Sequence, residues 1–266
     1  MLYFLIVLLI LYLLAVRCRK GHPGLEALRG WAYAHRGLHG EGRPENSMAA
    51  FRAALEAGFG IEFDLHLLKD GNLAVIHDSL LKRTTGAEGR IEDLTTEDLQ
   101  NYRLEGTEET IPTFRQLLEL YAGKAPLIVE LKPVNGNHAA LAEAACAMLE
   151  HYTGPYCLES FDPRCVRWLH DHRPHLIRGQ LSENFIATDK TLSLPLRFAL
   201  THNLLNFLTV PDFIAYRFDH RKSTPSNFLC RRLWGAQGVS WTIRSKQDFD
   251  TALAEGWLPI FERLIP

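Results

Sequence analysis

The stretch YAHRGLHGEGRPENSMAAFRAALEAGFGIEFDLHLLKDGNLAVIHD, residues 33–78, reads as strand, helix and strand in succession, closed by a hairpin. Tyr33-Ala34-His35-Arg36-Gly37 is a short apolar run that ends in a proton-transfer group, a fixed cation and a flexible glycine. Asn46-Ser47 has the chemistry of a helix start, and the helix then stops at Gly58. From Gly60 the residues alternate with period two. Glu62, Asp64 and His66 share one face, and Ile61, Phe63 and Leu65 share the other. Asp70-Gly71 between two apolar runs signals a two-residue turn, which places Asp64 directly across from His77. Glu62, Asp64 and His77 then come together. Two carboxylates on one face repel unless a cation or a proton is shared, and a hard divalent cation held by oxygens resolves the repulsion.

Beyond this stretch, residues 79–112 hold no long periodic element and read as an excursion at the strand ends. From Thr113 helices and strands alternate regularly. Thr113-Phe-Arg-Gln116 is a capping-box pattern. Strands are expected near 128, 158, 179, 210, 240 and 260, with helices between them, including one long apolar run at 190–206. With the strands near 33 and 62 this makes eight strand–helix units. The fold class is therefore α/β, a TIM-type (β/α)8 barrel with a small hairpin insertion. A doubly wound open sheet is the alternative, but no glycine-rich phosphate loop supports it.

The chain of 266 residues, 47% hydrophobic and 23% charged, suffices for one large core. A net charge of −2 gives no argument for nucleic-acid binding. Five cysteines without metal-ligand spacing argue against a disulfide framework and for a reducing compartment. Residues 1–16 carry no charge, and Arg17, Arg19 and Lys20 follow. The expectation is a transmembrane anchor with its basic flank at 1–20, a connector at 21–30 and the barrel at 31–266. At 1.5 Å per residue the apolar run spans about 24 Å, a little short of a ~30 Å hydrocarbon core. A cleaved signal peptide competes, but no base precedes the run and no small-x-small site follows it. The flanking bases place the barrel on the cytoplasmic side of the cell membrane, with residues 1–16 as the membrane contact. No protein partner is evident.

The order His35-Arg36-Gly37, Pro44-Glu45-Asn46, Ala50-Phe51, Gly58, Glu62-Phe63-Asp64, Asp70-Gly71 and His77-Asp78 resembles the glycerophosphodiester phosphodiesterase family. The resemblance implies a metal-dependent phosphodiesterase. Its substrate would be a glycerophosphodiester or, in a lipid-cleaving relative, a lysophospholipid. By the same resemblance Glu62, Asp64 and Glu130 match the ligands of one divalent cation, Ca²⁺ or Mg²⁺. His35 and His77 match the acid/base pair, Arg36 and Lys132 the phosphate contacts, and Trp241 a pocket wall. Glu45 and Asn46 match a loop-bracing element. The chemistry suits a diester. A cation and a guanidinium stabilise charge building on the phosphoryl oxygens, and histidine moves protons near neutral pH. The sequence departs from the family pattern in two places: Arg244 stands where asparagine is usual, and the last strand ends Phe261-Glu262-Arg263 rather than Thr-Asp. A non-catalytic barrel that binds phospholipid head groups is the reading from another class.

Overall fold

The structure is a computed structural model describing residues 1–266. Its strands are β1 (Tyr33–His35), β2 (Gly60–Leu67), β3 (Leu73–Val75), β4 (Leu127–Leu131), β5 (Tyr156–Ser160), β6 (Arg178–Ser182), β7 (Phe213–Arg217), β8 (Gln237–Ile243) and β9 (Trp257–Phe261). All but β3 pair in parallel, in the order β1-β9-β8-β7-β6-β5-β4-β2, and β2 returns to pair with β1. Eight parallel strands thus close a barrel, and β3 folds back antiparallel on the end of β2. The helices are α1 (Leu2–Ala15), α2 (Met48–Glu56), α3 (Lys82–Thr85), α4 (Phe114–Tyr121), α5 (His138–Leu149) and α6 (Pro163–His172), followed by α7 (Phe185–Thr188), α8 (Leu194–Thr201), α9 (Asn206–Thr209), α10 (Pro225–Arg232) and α11 (Lys246–Ala254).

The local chemistry explains where these elements begin. Ser47 accepts from the Ala50 amide at the start of α2, and Thr113 and Gln116 close a full capping box at α4. Asp162 caps α6, with Pro163 at its first position. Strands covered on both faces read as continuous apolar runs, and Leu127-Ile-Val-Glu-Leu131 is buried at every position. One core layer lies between strands and helices, around Phe51, Phe63, Phe114, Val129 and Leu141. A second fills the barrel, around Tyr33, Ile128, Phe213, Val239 and Ile260. Residues 21–30, read as a connector, contain a 3-10 turn at Pro23–Leu28 whose Leu25 and Leu28 join this inner layer. Tyr33 Oη donates to the Leu28 carbonyl at 2.7 Å.

Residues 1–16 form no membrane span. Helix α1 has 14 residues, about 21 Å by helical rise, and no helix of the protein is long and apolar enough to cross a membrane. At Val16 the chain instead settles on the barrel. Val16 and Cys18 are buried against Ile214, Cys230 and Ala236, and Trp234 Nε1 donates to the Leu13 carbonyl. Arg19, read as part of the basic flank of an anchor, pairs with the buried Asp212. The expected single-pass placement in the cell membrane therefore does not hold, nor does the orientation drawn from flanking charge.

Three local readings also change. In the hairpin the pairs are Leu65↔Val75, His66↔Ala74 and Leu67↔Leu73, one residue away from the register that faces Asp64 with His77. The Leu68 amide bonds to the Asn72 carbonyl, so the loop is the three residues Lys69-Asp70-Gly71, with Gly71 at φ +84°. Asp64 lies next to Ile76, whose amide donates to its carbonyl. The long helix expected at 190–206 is split into α8 and α9 by a turn in which Asn203 takes φ +53°. The Asn203 side-chain amide bonds to Ser226 and Asn227, which rewards the break. The strand expected near 210 starts later, at Phe213. All five cysteines are buried and free.

Candidate active site

Strand C-termini converge at one mouth of the barrel, and the candidate residues sit there. His35 ends β1, Glu62 and Asp64 lie on β2, and Glu130 is one residue before the end of β4. Register explains the gathering: His35 is level with Glu62, and Asp64 is level with Glu130. His35, Arg36, Glu62, His77, Glu130, Lys132 and Trp241 line one cavity of about 40 Å³. His77 reaches it although the hairpin register differs from expectation. The chain has left β3 at Val75, so the pleat no longer dictates where the ring points.

The loop after β1 is tightly built. The Arg36 amide extends the β1–β2 ladder to the Glu62 carbonyl at 2.8 Å, with Arg36 at φ +57° and Gly37 at φ +80°. A Cβ on Gly37 would meet the Ala50 backbone at 2.9 Å, so this position needs glycine for space as well as for φ. Glu45 accepts from Arg36 at 2.8 Å and from Arg83 at 2.7 and 2.9 Å. Asn46 donates from Nδ2 to Asp64 Oδ2 at 2.9 Å. Arg83 also pairs with Asp78, whose Oδ1 lies 2.6 Å from His77 Nδ1. Arg36, Glu45, Arg83, Asp78 and His77 thus form one chain of contacts over the mouth.

Glu62, Asp64 and Glu130 are buried, and each offers an oxygen within 4.8 Å of the others. Lys132 Nζ bridges Glu130 at 2.7 Å and Asp64 at 3.2 Å. Burial pushes the Glu62 carboxyl up, and Asp64 and Glu130 push it further. Glu130 is pushed up to about 7 by burial, against the pull of Lys132. Burial also acts on Asp64, but Lys132, His77 and Arg36 outweigh it and hold that carboxyl well below its ordinary range. The site thus concentrates buried acids that the two cations only partly neutralise. Three hard carboxylate donors so placed fit a divalent cation.

Each histidine meets a carboxylate through Nδ1. His35 Nδ1 lies 3.3 Å from Glu262 Oε2, while its Nε2 lies 3.8 Å from Glu62 Oε2. Burial lowers the His35 ring to about 4, more than Glu262 raises it. Glu262 is held at about 2: burial works against this, but the His35 hydrogen bond and nearby charges outweigh it. Together these describe a neutral ring beside an ionised carboxylate.

A model of the Glycerophosphoryl diester phosphodiesterase family matches residues 35–261. The chain belongs to this family. It is accordingly a phosphoric diester hydrolase of a family that depends on a divalent metal, and the acidic triad provides a place for one. A glycerophosphodiester phosphodiesterase of Bacillus altitudinis is 34% identical over 165 residues, 58% of this chain and 67% of that one. One from Caldanaerobacter subterraneus subsp. tengcongensis is 28% identical over 233 residues, 84% of this chain and 89% of its own. Among solved structures, an Oleispira antarctica phosphodiesterase in complex with the product sn-glycerol-3-phosphate superimposes with a TM-score of 0.73 at 21% identity. That match covers 89% of this chain and 94% of the other and supports the barrel fold.

The structure of this phosphodiesterase adds residues that the sequence reading passed over. Glu159 on β5 pairs in register with Glu130, is buried and lines the same cavity, and its Oε2 has no partner. Its position near a strand end beside Glu130 was the available signal. Phe161 packs edge-on against Trp241, with ring centroids 5.4 Å apart, and Lys132 Nζ lies 5.8 Å from its centroid. His66, left without a role, is buried between Glu92 at 2.7 Å and the His77 carbonyl at 3.1 Å, and so supports the His77 segment from beneath.

Proposed function

We infer that this chain hydrolyses glycerophosphodiesters to sn-glycerol 3-phosphate, or a related phosphate, and an alcohol, with His35 and His77 as the proton-transfer pair. One observation carries the reading: two histidines, each backed by a carboxylate at Nδ1, line a single cavity with Glu62, Glu130 and the Arg36 and Lys132 cations, and Asp64 lies against Lys132 and completes the acidic triad. Glu62, Asp64 and Glu130 would hold the metal ion, Ca²⁺ or Mg²⁺ by their hard oxygen donors, and it would stabilise charge on the phosphoryl oxygens. Arg36 and Lys132 supply fixed positive charge to the same oxygens. Their present carboxylate contacts keep both head groups aimed at the cavity. One histidine removes the proton of the attacking hydroxyl, and the other delivers a proton to the departing alkoxide. Trp241 and Phe161 form the apolar wall against which the organic part of the substrate rests. Glu45 and Asn46 brace the loop that carries Arg36.

The test is hydrolysis of glycerophosphocholine by the full chain, with and without exhaustive chelation and with Mg²⁺ or Ca²⁺ restored. His35→Ala and His77→Ala are each expected to lose at least the ~10²-fold typical of general acid–base catalysis. Activity indifferent to chelation removes the metal role, and wild-type rates in either variant remove the histidine pair. Lysophosphatidylcholine assayed in parallel separates a glycerophosphodiesterase from a lipid-cleaving relative.

A further inference from the structure

We propose that Glu262 is a positioning residue for His35, fixing which ring nitrogen carries the proton, and that Arg244 anchors Glu262 for that task. The proposal rests on the reading of His35 as a proton-transfer group. Its origin is topological. In the seam that closes the barrel, Ala34 of β1 is level with Phe261 of β9, and on the other side of β9 Ile243 of β8 is level with the same Phe261. His35, at the end of β1, and Glu262 and Arg244, each one residue past the end of β9 and β8, are therefore the next residues along three adjacent strands. The Glu262 amide still bonds to the Ile243 carbonyl at 2.9 Å, so its backbone is held before its side chain makes any contact.

The contacts follow from that placement. Glu262 Oε2 lies 3.3 Å from His35 Nδ1 and accepts from Arg244 Nη2 at 2.8 Å. Its Oε1 faces Arg263 Nε at 3.2 Å and His39 Nε2 at 3.7 Å. The Glu262 carboxylate is only 8% exposed, whereas the Arg244 side chain is 55% exposed. The acid is thus fixed inside and tied from outside. An ionised carboxylate only accepts hydrogen bonds, so the proton of a neutral His35 belongs on Nδ1. The Nε2 lone pair then faces the cavity beside Glu62. The opposite tautomer sets a lone pair against a carboxylate and turns an N–H towards the reacting groups. His77 takes its carboxylate from the next residue, Asp78. His35 is followed by Arg36 and Gly37, and takes its carboxylate from 227 residues away.

The experiment combines a double-mutant cycle with ring spectroscopy on the full chain. Hydrolysis of glycerophosphocholine is measured for wild type, Glu262→Ala, Glu262→Gln, His35→Ala and the His35→Ala/Glu262→Ala pair. Glu262→Ala is expected to lower kcat at least tenfold with KM within twofold, and Glu262→Gln, which keeps an acceptor, to recover part of the loss. In the His35→Ala background, Glu262→Ala is expected to change nothing further, because the partner it positions is gone. An equal loss in both backgrounds overturns the proposal and leaves Glu262 a structural residue. Nitrogen NMR of histidine-labelled wild type provides a readout independent of any variant's folding. It is expected to show His35 protonated at Nδ1 and bare at Nε2, and the reverse also overturns the proposal. An inactive wild type, or a fully active His35→Ala, instead defeats the functional reading on which the proposal stands.

Discussion

Asn46 and Asp64, eighteen residues apart, are joined by a 2.9 Å hydrogen bond from the Asn46 amide to a carboxylate oxygen with almost no exposure. Asn46 is itself held at φ +54°, with its backbone amide on the Arg36 carbonyl. The bond therefore links the loop after β1 to one member of the acidic triad. Asn46→Ala leaves a buried charge short of a donor and places alanine in a left-handed conformation. A loss of roughly 1–3 kcal/mol in stability is expected from the missing hydrogen bond. Cation affinity should fall about tenfold or more, as when a metal ligand loses its orienting partner. Urea unfolding and calorimetric Mg²⁺ titration check the two effects separately.

The metal-stripped protein should lose stability as pH rises. Glu130 titrates at about 7 in the folded chain against an ordinary value of 4.5, because burial penalises its charge. A folded pKa above the unfolded one means that the group's contribution is intact below about 4.5 and is lost as pH climbs through 7. Glu62 and Glu159 are shifted in the same direction. Asp64 is shifted oppositely, but its effect lies at lower pH. Melting temperatures between pH 5 and 8 should therefore fall in the stripped protein and flatten with saturating Mg²⁺ or Ca²⁺. A flat profile without metal counts against this account.

Glu159 offers a stabilising substitution. It is buried, raised well above its ordinary value by burial and then by Glu130, and its Oε2 meets no partner. Glu159→Gln removes that charge at nearly constant volume. At pH 8, without metal, a gain on the order of 1 kcal/mol is expected, the low end of the cost of an unsatisfied buried polar group. For a chain of this size that is about 2–4 °C in Tm. The gain should shrink towards lower pH, because burial raises the carboxyl and favours its protonated form, and scanning calorimetry at pH 8 and pH 5 decides it.

Arg19 is predicted to matter for the barrel. Its guanidinium contacts Asp212, whose side chain is fully buried, and the carbonyls of Pro174 and Leu176. Asp212 also receives the Arg178 amide at 2.9 Å. Removing one partner of a buried pair costs about 3–5 kcal/mol. Arg19 is a quarter exposed, so roughly 2 kcal/mol is expected for Arg19→Ala. Arg17→Ala, two residues away, serves as the comparison in denaturant unfolding, and equal effects from both remove Arg19's special place.

Much of this molecule was legible because its strands are short, apolar and regularly spaced. The eight barrel strands stand close to where the sequence put them, the three acids come within reach of one another, and both histidine candidates line one cavity with Glu62 and Glu130. What the sequence hid depends on distance or on small backbone choices. The Asp70-Gly71 signal marks a turn but does not set its length, and the extra residue in the loop moved the register by one. The apolar run at 190–206 gives no hint that Asn203 will leave the helix to bond with Ser226 and Asn227. The run at 1–16 passed for a membrane span because hydropathy does not show where a helix stops: α1 ends at Ala15, and Val16 and then Cys18 turn in against the barrel. Glu159 and Glu262 gain meaning only from the strands beside them. Arg244 and Glu262, noted one by one as departures from the family pattern, prove to be bonded to each other.

The closing seam has a consequence for how the enzyme comes into being. Strand β1 meets β9 through just two residue pairs, Tyr33↔Ile260 and Ala34↔Phe261, and these join opposite ends of the sequence. A ribosome makes His35 more than two hundred residues before the acid beside it. Contacts of such long range are slow to form and come late in folding. A nascent or truncated chain can assemble β2, β4 and the acidic cluster while the gap between first and last strand is still open. Cation binding should therefore appear earlier than hydrolysis during refolding, and the lag between them times the docking of the final strand.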